Sequence, residues 1–123
     1  TIKKKVLVKK IVKKAYQKFG SSLVPMGDCA CIVFDNMEIV LTSNRSQAFS
    51  TDIFTNLGIN FSEKKILIVK STNHFYNSFY SHVSKIIYAS VNGIYPNNPK
   101  KNKYSRLKRN IWPIVSKPHI IND

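Results

Sequence analysis

Two apolar, β-prone runs, residues 29–34 and 37–42, are separated only by Asp35-Asn36. An Asp-Asn pair tolerates left-handed backbone, so the pattern predicts a β-hairpin closed by a tight turn. Residues 1–20 read two ways. Val8, Ile11, Val12, Ala15, Tyr16 and Phe19 fall at helical spacing, whereas the uninterrupted Val6, Leu7 and Val8 suit a strand. After a loop at 43–50, Ser50 or Thr51 is placed to cap a short helix with the apolar stripe Ile53, Phe54 and Leu57. Gly58 is placed to stop it after about two turns. Residues 66–69 are continuously apolar between Lys65 and Lys70, as in a strand covered on both faces, and form the expected central strand. Thr72 then caps a second helix with the stripe Phe75, Phe79, His82, Val83 and Ile86. The strand-like 87–91 follows, ending at the turn Asn92-Gly93. Strand, helix, strand predicts a βαβ unit. From 96 to 123 Lys, Asn and Pro dominate, and Tyr104, Leu107, Ile111, Trp112 and Ile114 are the anchors of an irregular tail, with the Trp112 indole expected to be buried. The fold class expected is α/β (α+β mixed). It comprises a small mixed sheet with a β-hairpin and one βαβ unit, two short helices and an aromatic-anchored C-terminal tail, in a single domain spanning 1–123.

A chain of 123 residues with 43% hydrophobic content suits one modest core. Its apolar runs are far shorter than the roughly 20 residues that span a bilayer, which excludes a transmembrane helix. The first residue is Thr1 and no leader pattern is visible, so the expectation is an excised or incomplete chain. Cys29 and Cys31 flank Ala30 and share one face of a strand, reading as small buried thiols. They would supply only half of a zinc site, and disulfide use is not indicated, so a reducing, cytoplasmic setting is expected.

The net charge of +14 makes nucleic acid or another acidic surface a candidate partner. Only Arg45, Arg106 and Arg109 among the 20 cations are arginines, however, and selective nucleic-acid readers lean on the bidentate Arg fork. The lysines read chiefly as a solvated surface. The alternative is a small basic nucleic-acid-binding module using the Lys-rich opening and residues 100–109, whose binding would weaken steeply with salt. A structural domain mediating homo-oligomer contacts is a third reading, and no membrane partner is expected.

Three phrases occur in order: Ile39-Val-Leu-Thr-Ser-Asn-Arg-Ser-Gln-Ala-Phe49, the Phe54 to Ile59 segment ending Leu-Gly-Ile, and Ile68-Val-Lys-Ser-Thr-Asn-His-Phe75. Together they resemble the C-terminal region of the MlrC family, metallopeptidase-like proteins named for a member acting on microcystin-derived peptides. That region carries a Thr-x-x-Arg-x-Gln phrase, a Lys-Ser-x-x-His-Phe phrase and a Pro-containing aromatic close, here Tyr104-Ser-Arg-Leu107 and Ile111-Trp-Pro113. The resemblance covers about residues 27–113. It favours strands for the basic opening segment, and we adopt that reading. It departs after Phe75, where Tyr76 and Asn77 stand in place of the usual Arg. The resemblance implies a zinc-dependent peptide or amide hydrolase whose zinc is held by the preceding N-terminal domain. Nothing before Gly27 resembles that domain, so this chain is expected to bind no metal and not to be active alone. The implied partners are the N-terminal catalytic domain and a peptide or small amide substrate.

Within that frame Arg45 and Gln47, one residue apart in a loop after a strand, can offer a forked cation and an amide to one cleft, or brace the loop itself. Lys70, Ser71 and His74 follow the expected central strand at its C-terminal end, where open α/β sheets place ligand crevices. Ser71 and Thr72 are expected to open a helix whose free N–H groups favour a carboxylate or carbonyl. The substrate-binding candidates are thus Arg45, Gln47, Lys70, Ser71 and His74. His74 is the one catalytic candidate, as a substrate or oxyanion contact, because no neighbouring carboxylate orients it for a Ser-His triad. His82 and His119 read as structural or solvated, and Phe75 and Phe79 as an i, i+4 core pair.

Overall fold

The computed structural model describes residues 3–89, 98, 100, 104–106 and 111–117. The chain divides into two compact units, Thr1–Ile86 and Ile87–Asp123. In the first, β1 (Leu7–Phe19), β2 (Ser22–Phe34) and β3 (Met37–Thr42) form a three-stranded antiparallel sheet in the order β1-β2-β3. The expected hairpin is present, with Asp35 at φ 51° in its turn and Phe34 paired with Met37. β2 begins at Ser22, well before residue 29, because Gly20 at φ 61° lets β1 fold back onto it.

The basic opening segment is therefore a strand, and its helical spacing has a physical cause. The register slips between Val8 and Lys10 and again between Val12 and Ala15. Each extra residue on β1 is a β-bulge that shifts the alternation by one position, so apolar residues recur at three and four rather than two. At the second bulge, Lys13 and Lys14 oppose Asp28, whose carboxylate accepts the Lys14 N–H at 3.1 Å and the Lys13 ammonium at 2.7 Å. The Lys13 hydrogen bond, followed by that from the Lys14 backbone, holds the Asp28 carboxyl below its usual range.

One face of the sheet carries the core. Ala15, Met26, Cys29 and Cys31 pack there with Phe54, Leu57, Ile59, Phe75 and Phe79. Both thiols are free, and burial pushes them up, which keeps them protonated and inert. Helix α1 (Asp52–Thr55) is one turn long and lies along β1, with Asn56 donating to the Tyr16 carbonyl at 2.7 Å and Gly58 at φ 67° ending the segment.

Residues 66–69 lie outside the sheet among the described residues. Leu67 and Val69 pack against the core, whereas Ile66 and Ile68 are 77% and 89% exposed, so the run is covered on one face and is not a central strand. The sheet is wholly antiparallel as described, and the βαβ unit is not formed there; its second strand at 87–91 falls partly outside the described residues. Helix α2 (Tyr76–Phe79) starts three residues later than expected, with Phe75 rather than Thr72 at its N-cap and no side-chain cap, and passes into a 3-10 turn at Tyr80–His82. Phe75 and Phe79 form the expected pair, at 6.1 Å between ring centroids. His82 is exposed and stands edge-on to Phe61.

In the second unit the Val115 N–H donates to the Ile111 carbonyl at 3.1 Å. Trp112 is 73% exposed, so its indole is not buried as expected. Leu107 and His119 fall outside the described residues. No helix among the described residues is long and apolar enough to cross a membrane.

The half-buried Glu38 carboxylate takes ammonium groups from Lys64 and Lys9, and these hold it below its usual range, Lys64 most strongly. A carboxylate lowered by folding contributes stability above its unfolded pKa and loses it as pH falls through the folded value. Stability, followed by chemical denaturation, is therefore expected to be flat above about pH 5 and to fall below about pH 4. The Glu38→Gln variant should show a shallower fall.

Candidate functional site

Because Ser43 follows β3 directly, the 43–50 loop starts where the sheet ends, and its course is set by one residue of β1. Gln17 is buried and uses both ends of its amide. Its Nε2 donates to the Gln47 carbonyl at 2.8 Å and to Ser46 Oγ at 3.3 Å. Its Oε1 accepts the Phe49 N–H at 2.8 Å and that of Ser50 at 3.4 Å. The loop in turn reaches the 70–72 segment. The Ala48 N–H donates to the Lys70 carbonyl at 3.3 Å. Gln47 Oε1 accepts from Ser71 Oγ at 3.2 Å and from the Thr72 N–H at 3.4 Å.

Gln47, Lys70 and Ser71 are thus brought to one place, Ser71 through the Gln47 amide and Lys70 through its carbonyl, which accepts the Ala48 N–H. Arg45, in the same loop, is exposed, with no hydrogen bond or ion pair among the described residues. The Thr72 N–H points to Gln47 rather than opening a helix, since α2 begins only at Tyr76 and is too short to present an anion site.

His74 stands a little further along this segment, exposed, with its ring edge-on to Phe19 at 5.1 Å and Phe49 at 5.7 Å. Those two phenyl rings lie 4.7 Å apart. Around them is a pocket of about 360 Å³ whose polar lining includes Lys18, Asp52, His74, Asn77 and Ser78. Asp52 accepts the Lys18 N–H at 2.8 Å and Ser50 Oγ at 3.0 Å, so its carboxylate ties α1 to β1. Ser78 Oγ accepts the Thr51 N–H at 3.1 Å, which ties α1 to α2. The pocket walls are therefore cross-braced, and aromatic surface meets hydrogen-bonding groups there.

Sequence reasoning missed Gln17, Asp52 and Ser78. A Gln amid lysines on a basic strand carries no local signal of burial, and its partners lie 29 to 33 residues away. Among the described residues, no three His, Cys, Asp or Glu side chains gather as a metal site.

A protein-family model described as MlrC C-terminus matches residues 1–106. No curated protein and no solved structure matches the chain.

Proposed function

The chain belongs to the MlrC C-terminus family, and from that premise we propose that it is the C-terminal accessory domain of a zinc-dependent peptide or amide hydrolase, forming one wall of the substrate cleft. The observation that carries this reading is the Gln47 junction, which ties the loop after β3 to the Lys70-Ser71 segment beside the His74 pocket. The wall binds and orients. Lys70, next to Ser71, and Arg45, two residues before Gln47, supply cations that suit a carboxylate or a polarised carbonyl. His74 contacts the substrate or its developing oxyanion, held edge-on by Phe19 and Phe49. In this reading the metal and its chemistry belong to the preceding domain. Two free, buried thiols accord with a reducing, cytoplasmic setting.

The test uses the complete polypeptide, with its preceding domain, and a peptide substrate. Lys70→Ala and His74→Ala are each expected to lower kcat/KM by about tenfold or more, an effect of ~1.4 kcal/mol on the transition state. Both side chains are exposed, so the folded population should not change. Unchanged turnover in both variants would remove the cleft assignment and leave family membership standing.

A further inference from the structure

We propose that the outer face of the β1-β2-β3 sheet is an apolar docking surface for the preceding domain of the same polypeptide, whose matching surface is edged with carboxylates. The inference rests on reading this chain as a C-terminal accessory domain.

The face follows from the register. Leu41 lies opposite Ala30, and Ala30 opposite Ile11; Ile39 lies opposite Ile32, and Ile32 opposite Val8; Met37 lies opposite Phe34. Directly paired residues share a face, so these rows make one continuous apolar surface on the side away from Cys29 and Cys31. An antiparallel sheet with one solvated side alternates apolar and polar residues, whereas here both sides are apolar, as in a sheet covered twice. Yet this side is open: Ile11 is 60% exposed and Met37 51%.

Size and charge select the occupant. Strand spacing and rise put three such rows at on the order of 300–400 Å². A free-standing specific interface needs about 800 Å² per partner, so this patch suits a tethered partner, whose effective concentration makes up for the small area. A second copy would set +14 against +14. The Asp28 carboxylate near this face is already engaged by Lys13, while the Lys4 ammonium lies over the Phe34 ring at 5.6 Å. A partner surface edged with Asp and Glu complements that rim.

Met37 makes the face testable without mutation, because the chain has two methionines and the other, Met26, is fully buried. The complete polypeptide is treated with hydrogen peroxide, and oxidation at each Met is followed by mass spectrometry, natively and in guanidinium. Native Met37 is expected to oxidise at least tenfold more slowly than in the unfolded polypeptide, comparably with Met26, in a particle that light scattering shows to be monomeric. Zero-length carbodiimide coupling should link Lys4 to carboxylates of the preceding domain. Native oxidation of Met37 within about threefold of the unfolded rate would overturn the proposal. So would protection seen only in a dimer and lost on dilution, which would assign the face to a second copy. These readouts do not involve turnover, so they stand or fall separately from the Lys70 and His74 variants.

Discussion

Gln17→Leu is expected to lower the free energy of unfolding by about 2–4 kcal/mol, read from urea denaturation at neutral pH. The substitution keeps the volume on the core side of β1 but removes both ends of an amide that meets the Gln47 carbonyl, Ser46 Oγ and the N–H groups of Phe49 and Ser50. Backbone groups of the loop would then be left beside a methyl group, and an unsatisfied buried donor or acceptor costs about 1–3 kcal/mol. Gln17→Glu separates the roles of the two ends: it keeps the acceptor for Phe49 and Ser50 and loses the donor to Gln47, so it should fall between wild type and Leu near neutral pH. A Leu variant within about 0.5 kcal/mol of wild type would show that the loop takes its course without Gln17. Since the same loop presents Gln47 to Ser71, Gln17→Leu in the complete polypeptide should also lower kcat/KM through positioning, with loss of protection from hydrogen exchange at Phe49.

Gly27→Ala is the second large effect, expected at about 2–3 kcal/mol. Gly27 sits inside β2 at φ 71°, where an L side chain is strained by roughly 1–2 kcal/mol. A Cβ there would lie 2.2 Å from Ser43 Oγ and 2.9 Å from Asn44 Oδ1. Ser43 Oγ accepts the Asp28 N–H at 2.8 Å, so moving it aside sacrifices a hydrogen bond at the point where the 43–50 loop leaves the sheet. Gly20→Ala provides the control. Gly20 has φ 61° but open space around it, so only the backbone term applies and the loss should be about 1 kcal/mol. Equal losses in the two variants would mean that the Ser43 contact yields freely and the strain alone matters.

Much of the first unit was legible in local patterns. The hairpin at residues 29–42 announced itself through two β-prone runs and a turn dipeptide, because its pairing is between neighbours in sequence and its turn demands left-handed backbone at Asp35. Gly58 was legible as a stop, and Phe75 with Phe79 as a core pair, for the same reason: each depends on residues within one helical turn. The ordered phrases around Arg45, Lys70 and His74 carried the family, which the match over residues 1–106 bears out.

The rest depended on contacts that local patterns do not encode. Two bulges gave β1 the apolar spacing of a helix, and only pairing with β2 reveals where the extra residues sit. The run at 66–69 is apolar on both sides whether or not anything covers its second face; in this fold only Leu67 and Val69 find the core. The closeness of Gln47 to Ser71, and of His74 to Phe19, joins positions 24 and 55 residues apart. The sequence by itself determined the 29–42 hairpin, its turn and the chemistry of the candidate groups, since these follow from backbone preference and side-chain type over a few residues. Tertiary structure alone decided which face of the sheet is core, where the register slips and that a buried glutamine shapes the loop, because those outcomes are set by packing and hydrogen bonds between segments far apart along the chain.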